Sequence, residues 1–403
     1  MITHETIVIS FINYRGSYTM NILSNWFTTY KESSLSGRYI HLEHISPLLT
    51  KLSEKWIIER LGYSENNAPI DLITLGNGPK KLLFWSQMHG NESTTTKAIF
   101  DLINVLSDRS NEFSQEILTT CTLYIVPMLS PDGAKAYTRL NHNQVDLNRD
   151  AQNKTQRESI ILSDLIQRVQ PDVAFNLHGQ RTIFSAGTSS HSATVSFLSP
   201  AGDVERAIVP CRKIAMEIIA EMNTVLQEYI PNCVGRYDDG FNINCVGDTL
   251  TSLGIPTILF EAGHYPTDYD REKTREFIFY SLITAIKYIA NRDTISGEGY
   301  KRYFEIPENG KCFYDIIVRD IMLNGRNVDI AIQYVEELSE KSIKFIPKIV
   351  KIANLEKFYG HREIIGNKRE IRCENVTVEV IEGAKLLNFC LNDELFSTKL
   401  RKS

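Results

Sequence analysis

Three apolar runs in this chain each finish on a residue able to bind a metal or move a proton. Leu82-Leu83-Phe84-Trp85-Ser86-Gln87-Met88 leads into His89-Gly90-Asn91-Glu92, Val173-Ala174-Phe175-Asn176-Leu177 into His178, and Ile258-Leu259-Phe260 into Glu261. Short continuous apolar runs bounded by turn signals fit strands buried on both faces. The ends of such strands hold side chains rigidly while loops shape a pocket around them. Two imidazoles and one carboxylate form a zinc ligand set with a position left for water. A second carboxylate beside them would complete a hydrolase.

The segments between these runs carry helical spacing. A strand over 70–75 turns through Gly76-Asn77-Gly78-Pro79 into the run that reaches His89. Ala98, Ile99, Leu102, Ile103 and Leu106 then recur at the helical period. A strand over 123–128 stops at a Pro131-Asp132-Gly133 turn, and a helix over 157–169 is closed by Pro171. Asp203 caps a long helix to about 229, and a last helix spans about 271–290. The first 60 or so residues read as largely helical, with Ser46-Pro47 as a cap and first helical residue. Strands alternating with helices predict an α/β fold: a mixed, largely parallel sheet covered by helices on both faces.

At 403 residues the chain exceeds one comfortable core. Its character changes after Asn291-Arg292-Asp293-Thr294-Ile295-Ser296-Gly297-Glu298-Gly299. Beyond that point β-rich runs such as Ile316-Ile317-Val318 and Val376-Thr377-Val378-Glu379-Val380 alternate with the turn signals Asn324-Gly325 and Gly366-Asn367. The expected organisation is a catalytic domain over 1–298, its first 55 residues an extension, and a small mostly-β accessory domain over 300–403.

Composition narrows the function classes. A net charge of −5 gives no electrostatic footprint for nucleic acid, and Lys399-Leu400-Arg401-Lys402-Ser403 reads as a solvated tail. No apolar run approaches the ~20 residues that span a bilayer. Met1-Ile2-Thr3-His4-Glu5-Thr6 lacks the basic start of an export signal. Seven cysteines without CxxC spacing argue for reduced thiols rather than a disulfide framework. The expected location is the cytoplasm, taking Met1 as the natural start.

His-x-x-Glu alone is a cheap pattern in a chain with nine histidines. Its weight comes from context, because an unpaired carboxylate at the end of the run 256–260 would be costly to bury. A fourth segment adds to it: Arg139-Leu140-Asn141-His142-Asn143-Gln144-Val145-Asp146-Leu147-Asn148-Arg149-Asp150. With these residues the chain resembles the zinc carboxypeptidase family over about 55–290. His89 to Glu92 looks like the family's first ligand pair, Pro131-Asp132-Gly133 is similar to a turn after its next strand, and Leu61-Gly62-Tyr63-Ser64 with Ala68-Pro69-Ile70 is similar to the start of its sheet. The compact Arg139-to-Arg149 form is closer to the bacterial murein-peptide and γ-glutamyl branches than to digestive carboxypeptidases.

The resemblance implies one Zn²⁺ per chain on His89, Glu92 and His178, with Glu261 as catalytic base. It implies Arg139 polarising the scissile carbonyl, and Asn148 and Arg149 gripping a substrate carboxylate. Tyr237 is the nearest counterpart of the family's mobile tyrosine, although its neighbours Asp238-Asp239-Gly240 leave the register open. Asp248, with Gly247, falls where the family lines its side-chain pocket. Arg181, three residues past His178, adds a cation near the metal and is a candidate substrate contact. The Asn-Arg pair is followed by Asp150-Ala151, a departure from the family pattern. His41, His44, His142, His191, His264 and His361 lack partners at ligand spacing and read as structural. The function expected is a metallocarboxypeptidase acting on the C-terminal amide bond of peptides. Alternatives are a deacylase or amidase of N-acyl amino acids or murein peptides on the same scaffold, and a non-catalytic peptide-binding module. The expected partner is a peptide or N-acyl amino acid with a free carboxylate, neither nucleic acid nor membrane.

Overall fold

A computed structural model describes residues 22–373 and 379–400. Met1 to Thr6, Val376 to Val378 in the last β-rich run, and Arg401 to Ser403 of the basic tail lie outside the described residues. Among the described residues no helix is long and apolar enough to cross a membrane.

The first sheet has eight strands: β1 (Ile57–Tyr63), β2 (Pro69–Leu75), β3 (Lys80–Ser86), β4 (Cys121–Val126), β5 (Val173–Gly179), β7 (Val195–Leu198), β8 (Val234–Arg236) and β9 (Thr257–Ala262), with the two-residue β6 (Ser185–Ala186) standing apart. Their order is β1-β2-β4-β3-β5-β9-β7-β8. β4, β3, β5 and β9 run parallel, while β2 and β7 join them antiparallel. Alternate residues of the central strands feed two cores. Leu82, Phe84, Leu123, Ile125, Phe175 and Leu177 pack with helices Thr94–Ser107, Pro210–Tyr229 and Glu272–Ala290. Leu83, Trp85, Val126 and Ala174 pack with helices Arg157–Val169 and Val246–Ser252. Burial on both faces explains why these strands read as unbroken apolar runs.

A second sheet follows, built from β11 (Phe313–Leu323), β12 (Arg326–Ser339), β13 (Ser342–Ala353), β14 (Tyr359–Cys373), β15 (Asn388–Leu391) and β16 (Glu394–Ser397), after the short β10 (Asn309–Gly310) that pairs with β6. Its order is β13-β12-β11-β14-β15-β16. Asn324 and Gly325, at φ 51° and 75°, make the two-residue turn between β11 and β12 that an Asn-Gly pair favours.

Four local expectations are corrected. Helix Leu42–Leu52 begins before Ser46, because His41 accepts the Glu43 N–H at 3.4 Å and His44 accepts the His41 N–H at 3.2 Å. Pro47 therefore lies inside that helix, on an exposed face where water can serve the freed carbonyl. Pro131-Asp132-Gly133 opens a short helix, Pro131–Ala136, rather than a simple turn, since Pro at the first helical position loses no hydrogen bond. The long helix starts at Pro210, not after Asp203, whose carboxylate instead accepts the Ala207 N–H at 2.9 Å in a separate turn. A helix begun at 203 would have held Pro210 in its interior. Gly366-Asn367 does not separate strands; it forms an irregularity inside β14, with Asn367 and Lys368 at positive φ.

Candidate active site

The ligand set assembles where β3 and β5 end. β3 stops at Ser86, and a turn with Gln87 at φ 44° carries the chain on to His89. The Gln87 amide donates to the Ile40 and Gly90 carbonyls at 3.0 and 2.8 Å, which pins that turn. A Cβ on Gly90 would lie 1.9 Å from the Gly133 carbonyl carbon, so only glycine permits this close approach of two loops. Glu92 then turns back toward its own ligand partner, its N–H on the His89 carbonyl at 3.1 Å.

One donor atom from each of His89, Glu92 and His178 lies within 4.8 Å of the others. Nδ1 of His89 is 2.9 Å from Glu92 Oε1 and 3.1 Å from His178 Nδ1, and His178 Nδ1 is 3.0 Å from Glu92 Oε2. Ligands bound about 2.0–2.2 Å from one ion sit about this far apart, so the three groups fit a zinc ion. Both imidazoles are buried. Burial alone would raise the Glu92 carboxyl, but the two imidazoles beside it hold it well below the usual carboxylate range.

Glu261 reaches the same place by strand pairing. β5 and β9 run parallel with His178 opposite Glu261, so the two side chains leave the sheet on one face. Glu261 Oε2 is enclosed without a hydrogen-bond partner. Burial, and the Glu92 charge after it, push the Glu261 carboxyl well above its ordinary value.

All ten residues singled out from the sequence line one cavity of about 700 Å³: His89, Glu92, Arg139, Asn148, Arg149, His178, Arg181, Tyr237, Asp248 and Glu261. Arg139 sits between Glu92 Oε1 at 3.4 Å and Asp146 Oδ2 at 3.1 Å. The Asn148 amide oxygen accepts the Val246 N–H at 3.0 Å, which ties the 147–149 turn to helix Val246–Ser252. Arg149 is exposed, and its guanidinium donates to the neighbouring Asn148 carbonyl at 2.7 Å. Tyr237 packs on Phe184 with ring centroids 5.4 Å apart, and burial raises its phenol to about 12. Burial likewise raises the Asp248 carboxyl to about 6. Asp150, where the sequence departs from the family pattern, is buried and accepts from Thr155 and Gln156, so it serves the following turn.

Two sets of residues were missed. Asp146 accepts His89 Nε2–H at 3.0 Å and so sets the tautomer that leaves Nδ1 for the metal. It stood inside the quoted Asp146-Leu147-Asn148-Arg149 segment, and its place beside the Asn-Arg pair was the available signal. The far wall is formed by Arg38, Tyr269, Arg271, Asp315, Gln333, Tyr334, Glu336 and Phe345. No motif marked these residues, because distant segments bring them together.

The triad is one that could hold a metal ion, and the fold is similar to that of solved carboxypeptidase structures. The model of the zinc carboxypeptidase family matches residues 43–230, just under half of the chain. Carboxypeptidase SOL1 of Arabidopsis thaliana is 31% identical over 98 residues, which cover 22% of this chain and only 20% of that relative. Among solved structures, a candidate carboxypeptidase A of Shewanella denitrificans superposes with a TM-score of 0.52 at 17% identity, covering 61% of this chain and 68% of that one. A metallo-carboxypeptidase of Burkholderia cenocepacia has a TM-score of 0.49 at 17% identity, covering 62% and 68%. At these identities the first likeness speaks to the fold. The matched stretch ends before Glu261, whose place follows from the pairing of β9 with β5.

Proposed function

We propose that the protein is a zinc-dependent carboxypeptidase that hydrolyses the C-terminal amide bond of a peptide, with Glu261 as general base. The observation that carries this reading is the convergence of His89, Glu92 and His178 with Glu261 paired to His178 on the next strand. Zinc held by the three ligands would supply a water of pKa lowered to about 7 and a Lewis acid for the scissile carbonyl. Glu261 then takes the proton of the attacking water and returns it to the leaving amine, a task suited to a carboxyl whose pKa is raised by burial. Arg139, at the cavity beside Glu92, stabilises the charge that develops on the carbonyl oxygen. Arg149 offers an exposed guanidinium, steadied through one Nη by the Asn148 carbonyl, to the terminal carboxylate, on a turn held by Asn148. Tyr237 and Asp248 flank the bound residue, and Arg181 meets the substrate from the other wall.

Metal analysis should find about one zinc per chain, and His89→Ala should lose it; wild-type protein without zinc, with His89→Ala equally active, would remove the site. Glu261→Gln should keep the metal and lose turnover. A panel of short peptides against N-acyl amino acids tests the substrate class, and turnover of the acyl compounds alone would make the protein a deacylase instead.

A further inference from the structure

We infer that the cavity carries a second anion subsite, formed by Arg181 and Lys311, which takes an acidic group of the substrate on the wall away from Arg149. The substrate part of this inference rests on the carboxypeptidase reading; the charge pattern does not.

Most cations around the cavity are already engaged. Arg38 is bound to Glu336 at 3.1 Å, Arg139 lies between Glu92 and Asp146, and Arg271 donates to the Ala262 and Gln180 carbonyls. Among the described residues the Arg181 and Lys311 side chains line the cavity with no hydrogen bond or ion pair, and that of Arg149 has the Asn148 carbonyl alone. Arg149 has its expected task.

Arg181 and Lys311 stand on a different wall. Gly310 pairs with Ser185 and the Phe313 N–H donates to the Ile183 carbonyl at 3.1 Å, so the 181–186 and 309–313 segments form one ribbon. Gln180 locks it, donating to the Ala193 carbonyl at 2.9 Å and to Ser196 Oγ at 3.0 Å while its own carbonyl oxygen accepts the Asn309 amide at 3.0 Å. Both cations are therefore presented from a fixed backbone.

The acids nearby do not answer them. Asp248 lies on the helix tied to the Asn148 turn and accepts the Asn242 N–H, while Asp238, next to the Tyr237 that packs on Phe184, accepts the Gly240 N–H. Glu336 is held by Arg38 and Tyr137, and Asp315 by the Tyr269 hydroxyl and the Tyr334 N–H. The ribbon segments 181–186 and 309–313 thus carry two cations and no acid of their own. A substrate with one carboxylate for Arg149 and a second anionic group before the scissile bond would match both walls.

The test uses two matched peptides that differ only in glutamate or glutamine at the residue preceding the scissile bond, assayed on zinc-loaded enzyme. Wild type should favour the glutamyl peptide in kcat/KM by about tenfold, and by less at high salt, as expected for two exposed charges. R181Q/K311Q should bring the ratio close to one, whereas R181K/K311R should keep it. A ratio near one in wild type, or one that survives in R181Q/K311Q, overturns the subsite. Calorimetry of the same peptides on Glu261→Gln separates the two readings. A glutamyl preference in binding without wild-type turnover keeps the subsite and sinks the carboxypeptidase, while neither preference nor turnover sinks both.

Discussion

The two sheets of this molecule handle polar groups in opposite ways. In the first sheet β3, β5 and β9 are buried along most of their length and keep their functional groups at or just past the strand ends. His178 and Glu261 can be held there with polar atoms unpartnered, because the packed apolar body of each strand fixes the backbone. The second sheet is half exposed, and it places Asp315, Gln333 and Glu336 in the middle of strands facing the cavity. Each of these side chains is tied to the first unit: Asp315 to Tyr269, Gln333 to Thr182, Glu336 to Arg38. One sheet leaves groups free for chemistry, and the other spends its groups on a wall. Substitutions should therefore act on rate in the first sheet and on stability or access in the second.

The largest effect expected is on Glu261. Glu261→Gln should lower kcat by about 10²–10⁴-fold with the fold intact, the usual contribution of a positioned base; a variant that loses melting temperature instead of rate would break the contrast. Next comes a buried pair that sets a limit for what packing alone can cost. Arg275 grips Asp101 at 2.6 and 2.7 Å, both side chains wholly buried. Removing Asp101 strips the buried guanidinium of its two-pronged partner and leaves it the part-exposed Glu272 at 3.2 Å, so Asp101→Ala should cost about 3 kcal/mol in urea unfolding.

Asp315 sharpens the comparison through pH. Burial outweighs its hydrogen-bond donors and raises its carboxyl to about 6, from the usual 3.8. A carboxyl raised in the folded state contributes stability that is present below about pH 4 and lost as pH rises through about 6. That loss amounts to at most ~3 kcal/mol. Asp315→Asn should flatten the fall in stability between pH 4 and 7, and chemical denaturation across that range would show it. An unchanged slope would mean that the wall carboxylate is fully compensated. The smallest effect belongs to the outer face of the second sheet. Ile365, 51% exposed on β14, should tolerate threonine within about 0.5 kcal/mol.

Much of the site was legible before folding. The candidate ligands His89 and His178 each follow an apolar run, and such runs are the strongest signal a doubly covered strand can leave. Helix Arg157–Val169 was equally clear, with its period intact and Pro171 just beyond it. The errors fell where two local signals compete. Ser46-Pro47 resembles a helix start, yet the His41 and His44 side chains cap the chain five residues sooner. Asp203 resembles a cap, yet Pro210 marks the true first turn.

By itself the sequence determined which side chains could bind a metal and which segments would be strands buried on two faces. These are local properties, written in spacing and residue type. Tertiary structure alone decided that β9 lies beside β5 and brings Glu261 to His178, that Asp146 orients His89, and that Arg38, Asp315 and Glu336 wall the same cavity. Strand order follows from burying two cores at once, a condition on the whole chain that no single segment encodes.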